Sequence, residues 1–348
     1  MPVTAVTAEA PEWKIDRGPA LDPEPSQWPV LVTGAGGFVG GHVARHLARA
    51  GHFVRGFARR PVDALAGDPS IEWVMGDLTD SEVRRRALDG VRGVIHTAGW
   101  VSMGPDSKGI SQRVNVEVTG QLLDEAKAAG AERFVHTSTL YTLAAGTPER
   151  SADESSEWNL ERIDSSYVRT KREAERMVLG ASGDAFTTIA LCPGMVLGPR
   201  DPKPTSTQII RAYSKTTVAI APKGGIPIVD SRLIALAHRR ALIAGGRGQR
   251  YAVVGPYLSY GELAALVASI TGRPRWVVSL PSQLEPLVVR SAGWFGPLVR
   301  RWYPDVSPQL AAAGFLGLHL SGARANTCLG LEHPSAHETV ASCFAPIS

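Results

Sequence analysis

From Trp28 onward, short β-branched or apolar runs alternate with longer stretches whose apolar residues recur at helical spacing. The pattern predicts strands over residues 29–33, 53–57, 71–75, 91–97, 133–138 and 187–191, and helices over 38–50, 80–89, 111–129 and 166–180. Strands that each hand over to a helix make a parallel sheet covered on both faces, because parallel neighbours need a crossover connection. The order predicts a doubly wound α/β fold. Gly51, Gly90 and Gly130 follow three of these helices, at the position that favours a left-handed backbone.

Hydrophobic residues are 44% of the 348 and charged residues 20%, which excludes both wholesale disorder and a small stapled scaffold. The net charge of +4 is too small over this length to imply a nucleic-acid partner, though it suits an anionic ligand. Cys192, Cys328 and Cys343 are far apart and form no CxxC. They fit reduced thiols in the cytoplasm and give neither a disulfide framework nor a metal site. Residues 1–28 carry five prolines among acids and small residues, with no apolar run of signal-peptide length, and read as a flexible extension. The apolar segment 284–303 is interrupted by Arg290, Gly293, Pro297, Arg300 and Arg301, so it does not span a bilayer. Its Trp294, Phe295, Leu298, Val299 and Trp302 are expected to pack in the core, a lid over a greasy ligand or a peripheral membrane contact being the alternatives.

The first strand runs into TGAGGFVG, which places Gly34, Gly37 and Gly40 three apart at the opening of the first helix. Glycine there lets the backbone approach a pyrophosphate, whose charge meets free amides and the positive end of the helix dipole. Gly40 lets helix and strand pack closely. An acidic residue after the second strand selects NAD, but this strand ends in Arg59 and Arg60, and no acid appears until Asp63. A guanidinium fork suits the extra phosphate of NADP, so NADP is favoured over NAD. Asp77, before Leu78, is placed to accept from an adenine amino group, or else to cap the next helix.

Tyr167 and Lys171 lie at i and i+4 in SYVRTKREAERMVL, which puts them on one helix face a turn apart. A nearby ammonium favours the phenolate and is expected to bring its high pKa toward useful values. Such a tyrosine gives a proton to a carbonyl oxygen as it is reduced, or removes one from an alcohol in reverse. A third hydroxyl is offered by Thr137-Ser138-Thr139 at the end of the fifth strand, where ligands of open α/β sheets bind.

In this order, TGAGGFVG, GDLTD, VIHTAG, VNVEVTG, FVHTST, YVRTK, LCPGMVLGPRD and IVDSRLIALAH resemble the extended short-chain dehydrogenases/reductases of the NAD-dependent epimerase/dehydratase superfamily. GHFVRGFARRP is similar to the dihydroflavonol 4-reductase and 3β-hydroxysteroid dehydrogenase-like branch. The resemblance implies a Rossmann domain over 29–195 and a smaller C-terminal α/β substrate domain, mainly 196–348, with some segments returning to the Rossmann sheet. It implies cofactor contacts from Gly34, Gly37, Phe38, Val39 and Gly40, from Arg59 and Arg60, from Asp77 and Leu78, and from Thr97, Ala98 and Gly99. Thr139, Tyr167 and Lys171 occupy the catalytic positions, with Ser138 one residue away from Thr139. Lys171 is further implied at the nicotinamide ribose, Pro193, Gly194 and Val196 by the ring, and Asn115 in a mainly structural role. A homodimer through 111–129 and 166–180 is implied as well.

Sugar-nucleotide epimerases and dehydratases commonly carry Arg and Asn where this chain has Cys192 and Met195. The site therefore reads as more apolar, with Trp100, Met103, Tyr141, Leu143 and Met195 as a pocket for a flat or aliphatic ketone. The expected function is an NADPH-dependent reductase, reversible as an alcohol dehydrogenase, acting on a carbonyl of a largely apolar small molecule. The alternatives are a sugar-nucleotide epimerase or dehydratase with bound NAD, and a non-catalytic NADP-binding sensor or scaffold. His42 with His46, and the run Arg84-Arg85-Arg86, are expected on solvated helix faces.

Overall fold

The computed structural model describes residues 28–60, 69–201, 206–299 and 306–345. Its strands are β1 (Val30–Thr33), β2 (Val54–Ala58), β3 (Ile71–Met75), β4 (Gly93–His96), β5 (Arg133–Thr137), β6 (Thr187–Pro193), β7 (Met195–Leu197), β8 (Val218–Pro222), β9 (Gly225–Asp230), β10 (Gln249–Val253), β11 (Tyr257–Ser259) and β12 (Trp276–Leu280). Its helices are α1 (Phe38–Arg49), α2 (Ser81–Leu88), α3 (Val118–Ala128), α4 (Ser166–Gly180), α5 (Gln208–Lys215), α6 (Ser231–Ala244), α7 (Tyr260–Thr271), α8 (Glu285–Val299), α9 (Pro308–Ala313), α10 (Ala323–Leu329) and α11 (Ala336–Ser342).

Seven strands form a parallel sheet in the order β10-β6-β5-β4-β1-β2-β3. The side chains explain why both faces are covered. Val30, Val32, Ile95 and Val135 point to one face, against Val43 and Leu47 of α1 and Ile234 and Ala237 of α6. Their neighbours Leu31, Val94 and Phe134 point to the other, against Leu88 of α2, Leu122 and Ala126 of α3 and Val178 of α4. Two-residue alternation with apolar side chains on both sides is what a doubly covered sheet requires. The chain moves outward one way through β2 and β3 and the other way through β4, β5 and β6. The crevice between β1 and β4 therefore opens at their carboxyl ends. Gly51, Gly90 and Gly130 have φ of 82°, 68° and 85°, the left-handed helix ends that the sequence requires.

Beyond Gly194 the chain leaves this sheet. β7 joins β9 and β11, while β8 pairs with β12, and β10 returns to the edge of the large sheet beside β6.

Three expectations are corrected. Trp294, Phe295 and Leu298 of α8 are 63%, 59% and 70% exposed, because α8 packs against α9 and turns Val289 rather than these residues toward the core. The Val299 side chain, Trp302 and the extension through residue 27 lie outside the described residues. Arg84 is buried rather than solvated, its guanidinium bonding Glu125 of α3 at 2.8 and 2.7 Å and the Leu78 carbonyl at 2.6 Å. His42 is also buried, its Nε2 2.9 Å from the Pro199 carbonyl oxygen, and burial lowers its pKa to about 4. Among the described residues no helix is long and apolar enough to cross a membrane.

Candidate active site

The glycine turn is held by contacts that leave no room for side chains. Gly34 has φ +70°, and a Cβ there would lie 2.8 Å from the Ala98 nitrogen. A Cβ on Gly40 would lie 2.2 Å from the Gly34 carbonyl oxygen and 2.5 Å from Thr97 Oγ1. The Thr97 hydroxyl donates to the Thr33 carbonyl at 2.7 Å, which draws the end of β4 onto the end of β1. Gly37 precedes α1 and provides no side-chain cap, so the helix opens with its first amides, around Phe38 and Val39, uncapped. This cradle fits a dinucleotide pyrophosphate: close backbone, a helix N-terminus, and Thr97, Ala98 and Gly99 opposite.

Asn115 secures that opposite wall from a π-helical turn over 112–117. Its Oδ1 accepts from the Trp100 amide at 2.7 Å, and its Nδ2 donates to the Trp100 carbonyl at 3.0 Å and to Thr170 Oγ1 at 3.1 Å. The structural role read from the sequence is thus a clamp between the β4 loop and α4.

At the other end of the crevice, Arg59 and Arg60 are exposed just past β2, and Asp77 and Leu78 follow β3. Asp77 does not cap α2; Asp80 does, accepting from the Glu82 and Val83 amides at 2.9 and 3.4 Å. The Thr79 amide holds the Asp77 carboxyl below its ordinary value, and Arg59 and Arg113 add to the effect. Arg113 escaped the sequence reading. No motif marks it, and only the irregular turn at 112–117 brings it near Asp77. Asp63 lies outside the described residues.

Ser165 caps α4, accepting from the Val168 amide at 3.2 Å, and α4 turns Tyr167 and Lys171 inward, where both are buried. Burial raises the Tyr167 phenol, and a side-chain hydrogen bond with Thr139 pulls it part of the way back. Ser138 is committed elsewhere, donating to the buried carboxylate of Glu175, so the two adjacent hydroxyls have separate partners. The Lys171 ammonium donates to the Thr137 carbonyl at 2.6 Å and lies 3.0 Å from His136 Nε2. Burial lowers its pKa to about 8, although Glu175 and Cys192 act the other way. The expectation that Lys171 acidifies the phenol is corrected: its proton donors are directed at the end of β5, and the phenol is raised, not lowered.

Around Tyr167 the walls are apolar. Met103, Leu140, Ile163 and Leu318 share its cluster, and Tyr141, Met195, Tyr260 and Val289 pack against it. Leu143 is corrected out of this pocket, being buried with Cys192, Ala252 and Val254. Trp100 is 39% exposed. Pro193 and Gly194 close the end of β6, and the Gly194 amide donates to the Val253 carbonyl at 3.0 Å. A Cβ on Gly194 would meet the Pro227 carbonyl oxygen at 2.5 Å, so this residue too must be small, and Val196 is buried just beyond it.

The profile of the NAD dependent epimerase/dehydratase family matches residues 30–227, more than half of the chain. The chain belongs to this family. Among its members the chain is an extended short-chain dehydrogenase/reductase. It is 30% identical over 283 residues to sterol demethylase protein B of Methylococcus capsulatus, covering 80% of this chain and 84% of that protein. It is 33% identical over 252 residues to a putative dihydroflavonol 4-reductase of Synechocystis sp., covering 70% and 73%. The crystal structure of gox2253 superposes with a TM-score of 0.76 at 29% identity, over 92% of this chain and 97% of that one.

Proposed function

We propose that this oxidoreductase uses NADPH to reduce a carbonyl on a largely apolar small molecule, and runs in reverse as an alcohol dehydrogenase. The observation that carries the reading is the buried Tyr167–Thr139 pair inside an apolar cluster at the carboxyl ends of the parallel strands. A bound nicotinamide dinucleotide supplies the hydride. The chain's own residues do the rest. Gly34, Gly37 and Gly40 admit the pyrophosphate, and Arg59 offers its guanidinium to the phosphate that distinguishes NADP, with Arg60 and Arg113 nearby in charge. A phenol held protonated by burial is suited to donate to a carbonyl oxygen, which Thr139 orients through its hydroxyl. Lys171, the buried cation one turn along the same helix face, is held at the end of β5 and is placed to donate to the nicotinamide ribose when the dinucleotide is bound.

The apolar walls favour a flat or aliphatic ketone over a nucleotide sugar, whose pyrophosphate needs polar partners that Cys192 and Met195 do not provide. Similarity to proteins named for sterol and dihydroflavonol chemistry supports the same substrate class. Tyr260, Val289 and Leu318 from the C-terminal half pack in the same cluster as Tyr167, so that half would shape the place of the substrate. The test is NADPH oxidation over a panel of steroid-like, flavonoid-like and 2-alkyl-3-oxo acid ketones, followed by Tyr167→Phe on any substrate accepted. The variant should lose roughly 10²–10⁴-fold in turnover with NADPH affinity kept. Turnover within a few-fold of wild type would refute the proton-donor assignment.

A further inference from the structure

We infer that His136 is a positioning residue that holds the Lys171 ammonium at the end of β5, an inference that rests on the Tyr167–Lys171 reading above. His136 is 1% exposed, and its Nε2 lies 3.0 Å from Lys171 Nζ. An ammonium offers only donors, so Nε2 accepts and the imidazole proton sits on Nδ1. That Nδ1 is buried without a hydrogen-bond partner. Buried polar atoms without partners are rare in folded proteins, and a leucine or phenylalanine would fill this position without leaving one. The imidazole is explained by what its other nitrogen does: it gives a buried ammonium an uncharged acceptor, which orients the cation without locking it into an ion pair.

The support behind His136 is also polar. The His96 ring stacks on it at 5.5 Å and 29°. His96 is itself fixed between Thr33 Oγ1 at 2.7 Å and Thr119 Oγ1 at 3.0 Å. The row therefore runs from β1, at the glycine turn, through β4 and β5 to Lys171 on α4. The other groups facing this pair are Glu175 on α4 and Cys192 on β6, toward Lys171, and His238 on α6, toward His136.

Removing a neutral acceptor from a cation disfavours the charged form, so Lys171 should lose its proton at lower pH. The experiment measures NADPH affinity by fluorescence titration from about pH 6 to 10, and the pH profile of kcat/KM, for wild type, His136→Phe, His136→Gln and Lys171→Met. His136→Phe should weaken NADPH binding about tenfold at neutral pH and move the basic limb of both profiles down by about one pH unit. His136→Gln, whose amide oxygen reaches the place of Nε2, should restore both to within about threefold. If His136→Phe does not fold, His136→Asn, whose amide is too short to reach the ammonium, carries the same expectation. Unchanged profiles in the His136 variants, with both lost in Lys171→Met, overturn this inference alone. Unchanged profiles in Lys171→Met instead overturn the underlying Tyr167–Lys171 reading.

Discussion

Gly40→Ala separates close packing at the glycine turn from ordinary helix propensity, because the two predict opposite signs. In an unconstrained helix interior, alanine for glycine stabilises by about 0.5–1 kcal/mol. Gly180 in the last turn of α4 is such a position, since a Cβ there meets nothing within 4 Å. At Gly40 the new Cβ would lie 2.2 Å from the Gly34 carbonyl oxygen, whereas apolar contacts settle at about 3.5–4.0 Å. Relief needs more than 1 Å of movement. Gly34 cannot supply it, because its own position is bounded by the Ala98 nitrogen, and α1 cannot withdraw without opening the packing of Val43 and Leu47. Overpacking of this kind costs about 1–3 kcal/mol, at the upper end here because the obstruction is backbone. For a chain of this size each kcal/mol moves Tm by about 2–4 °C, so Gly40→Ala should melt roughly 5–10 °C lower and Gly180→Ala about 1–4 °C higher. Displacement of the turn should also weaken NADPH binding at least tenfold, about 1.4 kcal/mol, in Gly40→Ala only. Scanning fluorimetry and NADPH titration read both effects. A Gly40→Ala protein as stable as Gly180→Ala, with unchanged affinity, refutes the packing argument.

Arg59→Ala should weaken NADPH binding by about 10–100-fold, as expected for loss of a charge-assisted phosphate contact, and leave NADH binding nearly unchanged; equal losses for both would contradict the phosphate role. Arg250→Met should destabilise by about 3 kcal/mol in urea melts, because it strips the 3.0 Å ion pair from the buried Glu175 carboxylate. Burial lowers the pKa of His96 to about 3 and of His238 to about 4. The unfolded chain takes up their protons first, near pH 6.5, so the stability these two neutral rings contribute is whole above that pH and is lost as pH falls toward their folded values. At pH 5 the loss is about 2 kcal/mol for each ring, and a urea midpoint that stays flat from pH 7 to 5 would show that the rings are not held neutral.

The parallel sheet and its glycine turn were legible because every link in them is local. Alternation along the strands, the glycine spacing and the helix-ending glycines each act within a few residues. The same holds for Tyr167 and Lys171, whose four-residue spacing fixes a shared helix face. What failed to read through are choices made between distant segments. Arg84 looks like one of three equivalent surface arginines until Glu125, on another helix, takes it inward. Leu143 is as apolar as Tyr141 and only two residues away, yet the short turn over 140–142 sends them to different clusters. The stripe on α8 has helical spacing, but spacing alone does not say which face meets α9.

The choice between Ser138 and Thr139 shows how such a decision is made physically. Tyr167, Lys171 and Glu175 stand at four-residue intervals on the inward face of α4, and each takes a different group at the end of β5. Glu175 accepts from Ser138, and also from Thr142 at 2.6 Å; Lys171 donates to the Thr137 carbonyl; Tyr167 is left with Thr139. A buried carboxylate costs heavily unless its oxygens are filled with donors, so Glu175 claims the hydroxyls within its reach before any ligand arrives. Thr139 is not among its partners: the Thr139 hydroxyl accepts from the Tyr141 amide at 3.5 Å and bonds Tyr167. The acid thus takes up Ser138 and Thr142 and leaves Thr139, rather than Ser138, as the partner of Tyr167. Its partner Arg250 on β10 ties this network to the far edge of the sheet, so the strand that returns to the large sheet also helps to fix the hydroxyls at the end of β5.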